Sequence, residues 1–221
     1  MNLKIGLALI LASVPGVFAS QIPLSPGNVI GFNGLYNSGF PASSILDHQT
    51  GTIVEATQDG SYWLNADNGP ANAYIVVDLG SAIHLGSFDL FNTHNAIYGD
   101  RGTGAFSIEA SNSIGPGVGS GSDLSGTIVT LVTGTLLASP VSGPLPDQTF
   151  LSIDPGSYRY IRFSPHTVAS PGTPCCGANN YGLNELRAFD APVGAVPEPA
   201  TLAFLGGGLV VLGLLRKRRI A

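Results

Sequence analysis

Between two strand-like runs the chain reads FNTHNAIYGDRGTG, which places His94, Asn95, Tyr98 and Arg101 within eight positions of one another, with Asn92 close by. Gathered on a loop, these side chains suit a hydroxylated ligand. A tyrosine ring stacks on the apolar face of a sugar, while His, Asn and Arg exchange hydrogen bonds with its hydroxyls. The same letters admit a plainer reading, in which Asp100 pairs with Arg101 and the Asn and Gly residues only form turns. Patterns that would announce catalysis are not found: there is no nucleophile elbow, no HExxH helix and no Cys-His pair in a convincing setting. Scattered acids in a β-sequence do not define the two facing carboxylates that glycoside hydrolysis requires. The expectation is a protein that binds and is not an enzyme.

Cys175 and Cys176 are adjacent in SPGTPCCGANN. Neighbouring Cα atoms lie about 3.8 Å apart, below the usual window for a bridge, so no disulfide framework is expected. No His or further Cys stands near enough in sequence to complete a metal set.

The elements that must position the loop are strands. AYIVVDLG (73–80), GSFDLFN (86–92), AFSIEAS (105–111), TIVTLVTGTLLA (127–138), QTFLSI (148–153), YRYIRFS (158–164) and LNELRAFD (183–190) are short, rich in β-branched and aromatic residues, and bounded by Gly, Pro, Asn or Asp. In AFSIEAS, Phe106, Ile108 and Ala110 face one way and Ser107, Glu109 and Ser111 the other, the alternation of a half-buried antiparallel strand. Seven such runs predict an all-β antiparallel sandwich. GPGVGSGSDLSG (115–126) is expected as a flexible surface loop; with no helix or Lys after it, it is no phosphate cradle.

Residues 20–190 make one domain of about 170 residues, enough to bury a real core, and 191–195 (APVGA) reads as a linker. The domain holds four arginines, no lysine and 13 carboxylates, a formal charge of −9. A surface that acidic offers no phosphate-neutralising patch, which argues against nucleic acid and anionic lipid as partners.

The two ends of the chain are of another kind. Residues 1–19 place Lys4 before an apolar run and Val17-Phe18-Ala19 at a cleavage site, the pattern of a secretory signal peptide removed by signal peptidase. At the other end, Ala200 to Leu215 is a 16-residue stretch without charge. As a helix it reaches about 24 Å against a hydrocarbon core of roughly 30 Å, a marginal transmembrane span. Arg216, Lys217, Arg218 and Arg219 follow as a cytoplasmic stop, so the bulk of the protein is expected outside the inner membrane. Pro197 and Pro199, flanking Glu198, deny the preceding segment a helix and keep it extended, the shape a protease cleft accepts. This order of parts over 196–221 resembles the PEP-CTERM sorting signal. The resemblance implies an exosortase as partner, transient membrane anchoring, and release to the surface or extracellular matrix of a Gram-negative bacterium.

From about Ile45 to Asp190 the chain resembles the discoidin-like, or coagulation-factor type C, domains, which are galactose-binding-like jelly rolls. The residues that carry this are YWL (62–64), YIVVDLGS (74–81), DRGTGAFSIEAS (100–111), YRYIRFS and GLNELRAFD (182–190). The resemblance implies a carbohydrate-binding module, here for extracellular polysaccharide, with a structural matrix protein lacking a defined ligand as the alternative and an uncharacterised hydrolase behind both. It also implies a structural Ca²⁺ held by Glu185 together with Asp47 or Asp59, with Thr50 or backbone carbonyls completing the shell. Against that set stands a simpler role for each residue, Glu185 in a salt bridge to an arginine and the aspartates as turn caps.

Overall fold

Where the sequence predicts two strands at 73–80 and 86–92, the chain forms one, Tyr74–Phe91. Its β-branched and aromatic residues hold the backbone extended, and Asp78 and Gly80 bend it without ending it. Gly80 takes φ +84°, its N–H donates to Asp78 Oδ1 at 2.8 Å, and the register with the neighbouring strand shifts between Asp78 and Ile83. Arg159 braces the corner by donating to both Asp78 oxygens at 3.0 and 2.9 Å, which holds that carboxyl below the usual range.

The computed structural model describes residues 19–48, 62–93, 101–138, 146–154, 156–169 and 179–191, all within one compact unit, Ala19–Ala191. The described residues form eleven strands: β1 (Val29–Asn33), β2 (Trp63–Leu64), β3 (Tyr74–Phe91), β4 (Ala105–Ser111), β5 (Ser113–Pro116), β6 (Ser120–Ser125), β7 (Val129–Thr135), β8 (Asp147–Leu151), β9 (Ser157–Pro165), β10 (Gly182–Leu183) and β11 (Glu185–Asp190). Single 3₁₀ turns occupy Pro26–Asn28 and Ala42–Leu46. The signal segment 1–18, the linker beyond Ala191, the sorting tail with its helix at 200–215, and the cysteine pair lie outside the described residues.

Strand pairing is antiparallel throughout the described residues. The first half of β3 sits in the order β5-β6-β1-β3-β9-β4-β7, and its second half leaves that path to pair with β11 and β8. One bent strand therefore serves both layers, and the sheet curls around the core. Ile75 and Val77 before the bend, Leu85, Phe88 and Leu90 after it, and Phe106, Ile108 and Ala110 of β4 meet there, the last three on the face their alternation predicts. Trp63 is fully buried, and its indole N–H donates to Gly34 O at 2.9 Å.

The stretch expected as a flexible loop, 115–126, is instead largely the β5–β6 hairpin, which pairs with β1 through Gly31 and Phe32. The reason is close approach. A Cβ on Gly31 would stand 1.8 Å from Ser122 O, and Gly121 needs φ +73°, so the glycines that read as flexibility are what let two backbones meet. The hairpin covers a small second cluster of Tyr74, Val76, Leu124 and Tyr160 on the outer face of the sheet.

Register assigns the two ends of the domain. At one, His84 lies opposite Ser157, and the Ala191 N–H donates to His84 O at 2.7 Å. At the other, β9 finishes at Pro165 opposite Phe106, and β11 begins at Glu185 opposite Phe91. Thr93 and Arg101 follow β3 and precede β4 at this second end, while Ala191, the last described residue, lies at the first.

Candidate functional site

At the loop end the strands stop, and backbone groups that leave the ladder must be satisfied in other ways. Buried amide side chains do this. Asn92, fully buried, donates from Nδ2 to Thr103 O at 2.8 Å and Leu137 O at 2.9 Å, and accepts at Oδ1 from Thr93 N–H at 3.0 Å and Thr103 N–H at 2.9 Å. It thereby ties together the two feet of segment 94–100. Thr103 Oγ1 donates to Gly182 O at 2.7 Å, linking that loop to β10. Asn65 donates to Pro70 O at 3.2 Å and Asn179 O at 2.6 Å, and Asn180 donates to Asn65 O at 2.9 Å and Asp67 Oδ1 at 2.8 Å. Such a buried polar network in a low-dielectric setting rigidifies the segments that it joins, with Asn180 Oδ1 alone of these amide atoms lacking a partner among the described residues.

Arg101 lies in this base, only 6% exposed, with its guanidinium 5.9 Å from the Tyr36 ring centroid. Tyr36 in turn packs edge-on to Phe40 at 5.7 Å, and Phe40 packs on Tyr62 at 4.8 Å, so an aromatic column continues from Arg101. Of the four loop residues singled out in the sequence, Arg101 is thus placed beneath the surface. His94, Asn95 and Tyr98 lie outside the described residues. The sequence reading missed Asn65, Asn180, Thr103 and Tyr36, because isolated Asn and Thr residues beside strands look like turn formers until their partners, more than 70 residues away in most cases, are known.

A second constellation lies at the start of β11. Glu185 is fully buried; its Oε2 accepts from the His48 N–H at 3.0 Å, and its Oε1 lies 3.1 Å from His48 Nδ1 and 3.7 Å from Arg187 Nε. His48 Nε2 is 2.9 Å from Leu24 O, which can only accept, so Nε2 carries a hydrogen. A proton must then also lie between Nδ1 and the carboxylate, on one or the other. His48 pays for its position with φ +63°, a left-handed backbone that histidine tolerates better than most side chains. Burial pushes the Glu185 carboxyl from 4.5 up to about 7; the His48 N–H and the charges of His48 and Arg187 pull it down, and Asp47 adds to the rise.

The structure does bring Asp47 and Glu185 together, whereas Asp59 and Thr50 lie outside the described residues. Among the described residues, no group of three or more His, Cys, Asp or Glu side chains is arranged to hold a metal ion. Calcium requires converging oxygens. The Glu185 oxygens face N–H groups and a guanidinium instead, a setting that neutralises the carboxylate within the protein and does not by itself fit a calcium shell.

Residues 195–219 match the family model of the PEP-CTERM protein-sorting motif. The chain carries that sorting signal. No curated protein sequence matches the chain significantly. In three dimensions the chain is similar to the family 32 carbohydrate-binding module (CBM) of C. perfringens NanJ, solved in complex with galactose, with TM-score 0.53 and 15% identity over 78% of this chain and 100% of that one. It is similar also to CpGH89CBM32-5 from Clostridium perfringens, in complex with GalNAc-β-1,3-galactose, with TM-score 0.52 and 12% identity over 77% and 99% of the two chains. At these identities the likeness establishes the fold: a mostly β, curled antiparallel architecture of the kind seen in these modules.

Proposed function

We propose that this is an exported, exosortase-sorted surface or matrix protein whose β-sandwich binds extracellular polysaccharide without cleaving it. The observation that carries this reading is polarity. Ala191, from which the sorting tail continues, sits at the end where it bonds His84, whereas the loop feet held by Asn92 and Thr103 lie at the opposite end. Feet at the end opposite Ala191 suit a displayed binding module. The sugars bound by the two similar modules point to the same class of ligand. In this reading signal peptidase frees the N-terminus, the tail at 196–221 holds the protein in the inner membrane until the exosortase acts at Pro197-Glu198-Pro199, and the domain passes to the cell surface or matrix.

His94, Asn95 and Tyr98 are the proposed contact residues, and the buried Arg101 is the fourth residue of the set. Contact through a single loop buries little area, so single sugars bind weakly and retention comes from many copies on a repeating polymer. The burial of Arg101 favours a second reading, a structural matrix protein that uses the fold without a ligand. An immobilised array of the host's own exopolysaccharide separates the two. Binding that falls at least tenfold in both Tyr98→Ala and His94→Ala, with unchanged thermal melts, is the expected result. An array with no retention of the wild-type protein would leave the structural reading in its place.

A further inference from the structure

On the outer face of the large sheet, beneath the β5–β6 hairpin, lies a groove of about 470 Å³, within the range of small-molecule sites. The hairpin forms one wall: the Val118 N–H donates to Tyr74 Oη at 3.2 Å, while the Val118 side chain is 81% exposed. The floor is charged. Arg162 donates to Glu109 Oε2 at 3.1 and 2.7 Å, and to Asp123 at 2.9 and 3.1 Å, with the three side chains only 18 to 22% exposed. Two carboxylates around one guanidinium leave the floor one negative charge in excess.

Three polar groups here have unused capacity. Glu109 Oε1 makes no hydrogen bond among the described residues, and neither does the Ser164 hydroxyl. Tyr74, only 4% exposed, accepts from Val118 and among the described residues has no acceptor for its own proton. The Glu109 oxygen left over from the ion triad can accept from a ligand that brings a donor, and a charged donor makes the stronger bond. The rest of the domain reinforces that sign. With four arginines, 13 carboxylates and no lysine, its field draws cations and repels acidic sugars. Stacking plays no part in the groove, since the Tyr74 ring is buried. Recognition there must come from hydrogen bonds, for which Ser107 and His166, 3.0 Å apart, add further donors and acceptors.

We propose that this groove is a second glycan site, independent of the loop end, that takes an amine-bearing sugar unit: its ammonium at Glu109 and Asp123, and its hydroxyls at Tyr74, Ser107 and Ser164. The test uses the purified full-length protein and three probes, a glucosamine hexamer, its fully N-acetylated counterpart and an oligolysine of equal charge, with binding followed by titration calorimetry. The glucosamine hexamer is expected to bind at least tenfold more tightly than the acetylated one, and to weaken as salt rises from 0.05 to about 0.5 M through screening of the ammonium contact. Glu109→Gln should reduce binding at least tenfold. Asn72→Trp, at the exposed rim and away from the ion triad, should block it even if the first variant folds poorly. In a Tyr98→Ala background the preference for the glucosamine hexamer and its loss in Glu109→Gln should persist, which separates this site from the loop. Absence of hexamer binding, insensitivity to both groove variants, or equal competition by oligolysine would each overturn the proposal.

Discussion

Replacing Asn92 by alanine should cost about 3–5 kcal/mol of folding stability, through loss of partners more than loss of volume. Four hydrogen bonds disappear at once. Their consequences differ: the Thr103 N–H keeps Gly182 O at 3.1 Å, and the Leu137 carbonyl keeps Gln148 Nε2 at 3.4 Å, whereas the Thr93 N–H and the Thr103 carbonyl lose the amide that held them. Each buried polar group left without a partner costs about 1–3 kcal/mol, and the small cavity adds to the sum. Against a total stability of about 5–15 kcal/mol, the variant should fold marginally, and the feet of segment 94–100 should separate. Equilibrium urea unfolding measures this conveniently, because the chain has a single tryptophan and Trp63 is fully buried. Asn92→Asp is the sharper control. It keeps the shape and an acceptor for Thr93 and Thr103 but turns an oxygen toward two carbonyls, so it should lose as much as alanine. If both variants lost under about 1 kcal/mol, the amide clamp would not be what holds the loop end together.

The Glu185 carboxyl, raised from 4.5 to about 7 in the folded state, makes the fold bind a proton more tightly than the unfolded chain. Its contribution is complete below about pH 4.5 and is lost as pH rises through about 7, a swing of about 3 kcal/mol. Glu185→Gln should flatten that part of the stability profile, and an identical wild-type slope in the variant would remove the carboxyl from the account. Because the described shell of Glu185 is made of N–H donors, thermal melts in calcium and in chelator should coincide; a calcium-dependent rise in Tm would show that 49–61 supplies the missing oxygens and would refute this. Alanines at Pro197, Glu198 and Pro199 should leave export intact and trap full-length protein in the membrane fraction, so normal maturation of the triple variant on immunoblots would count against sorting through that motif.

Much of this protein is legible without coordinates, because its signals are local. The Pro-Glu-Pro segment, the apolar run and the terminal basic block work as a linear order of chemistries. The strands likewise announce themselves through alternation, as Phe106, Ile108 and Ala110 do in the core. Pairings across long stretches of sequence are a different matter. That 73–80 and 86–92 are one strand depends on a corner at Gly80 braced by Arg159, and that 115–126 is a hairpin depends on Gly31 being free of a side chain where Ser122 arrives. Composition marks those glycines as freedom, whereas packing uses them as clearance. The same holds for the sites. Asn92, Asn65 and Asn180 are ordinary turn letters until tertiary contacts remove them from water, at which point each must satisfy buried carbonyls and amides. Whether Glu185 meets an ion or His48, and whether Arg101 is exposed or buried, was decided only by folding, because a charged side chain takes its role from whichever partner burial brings to it.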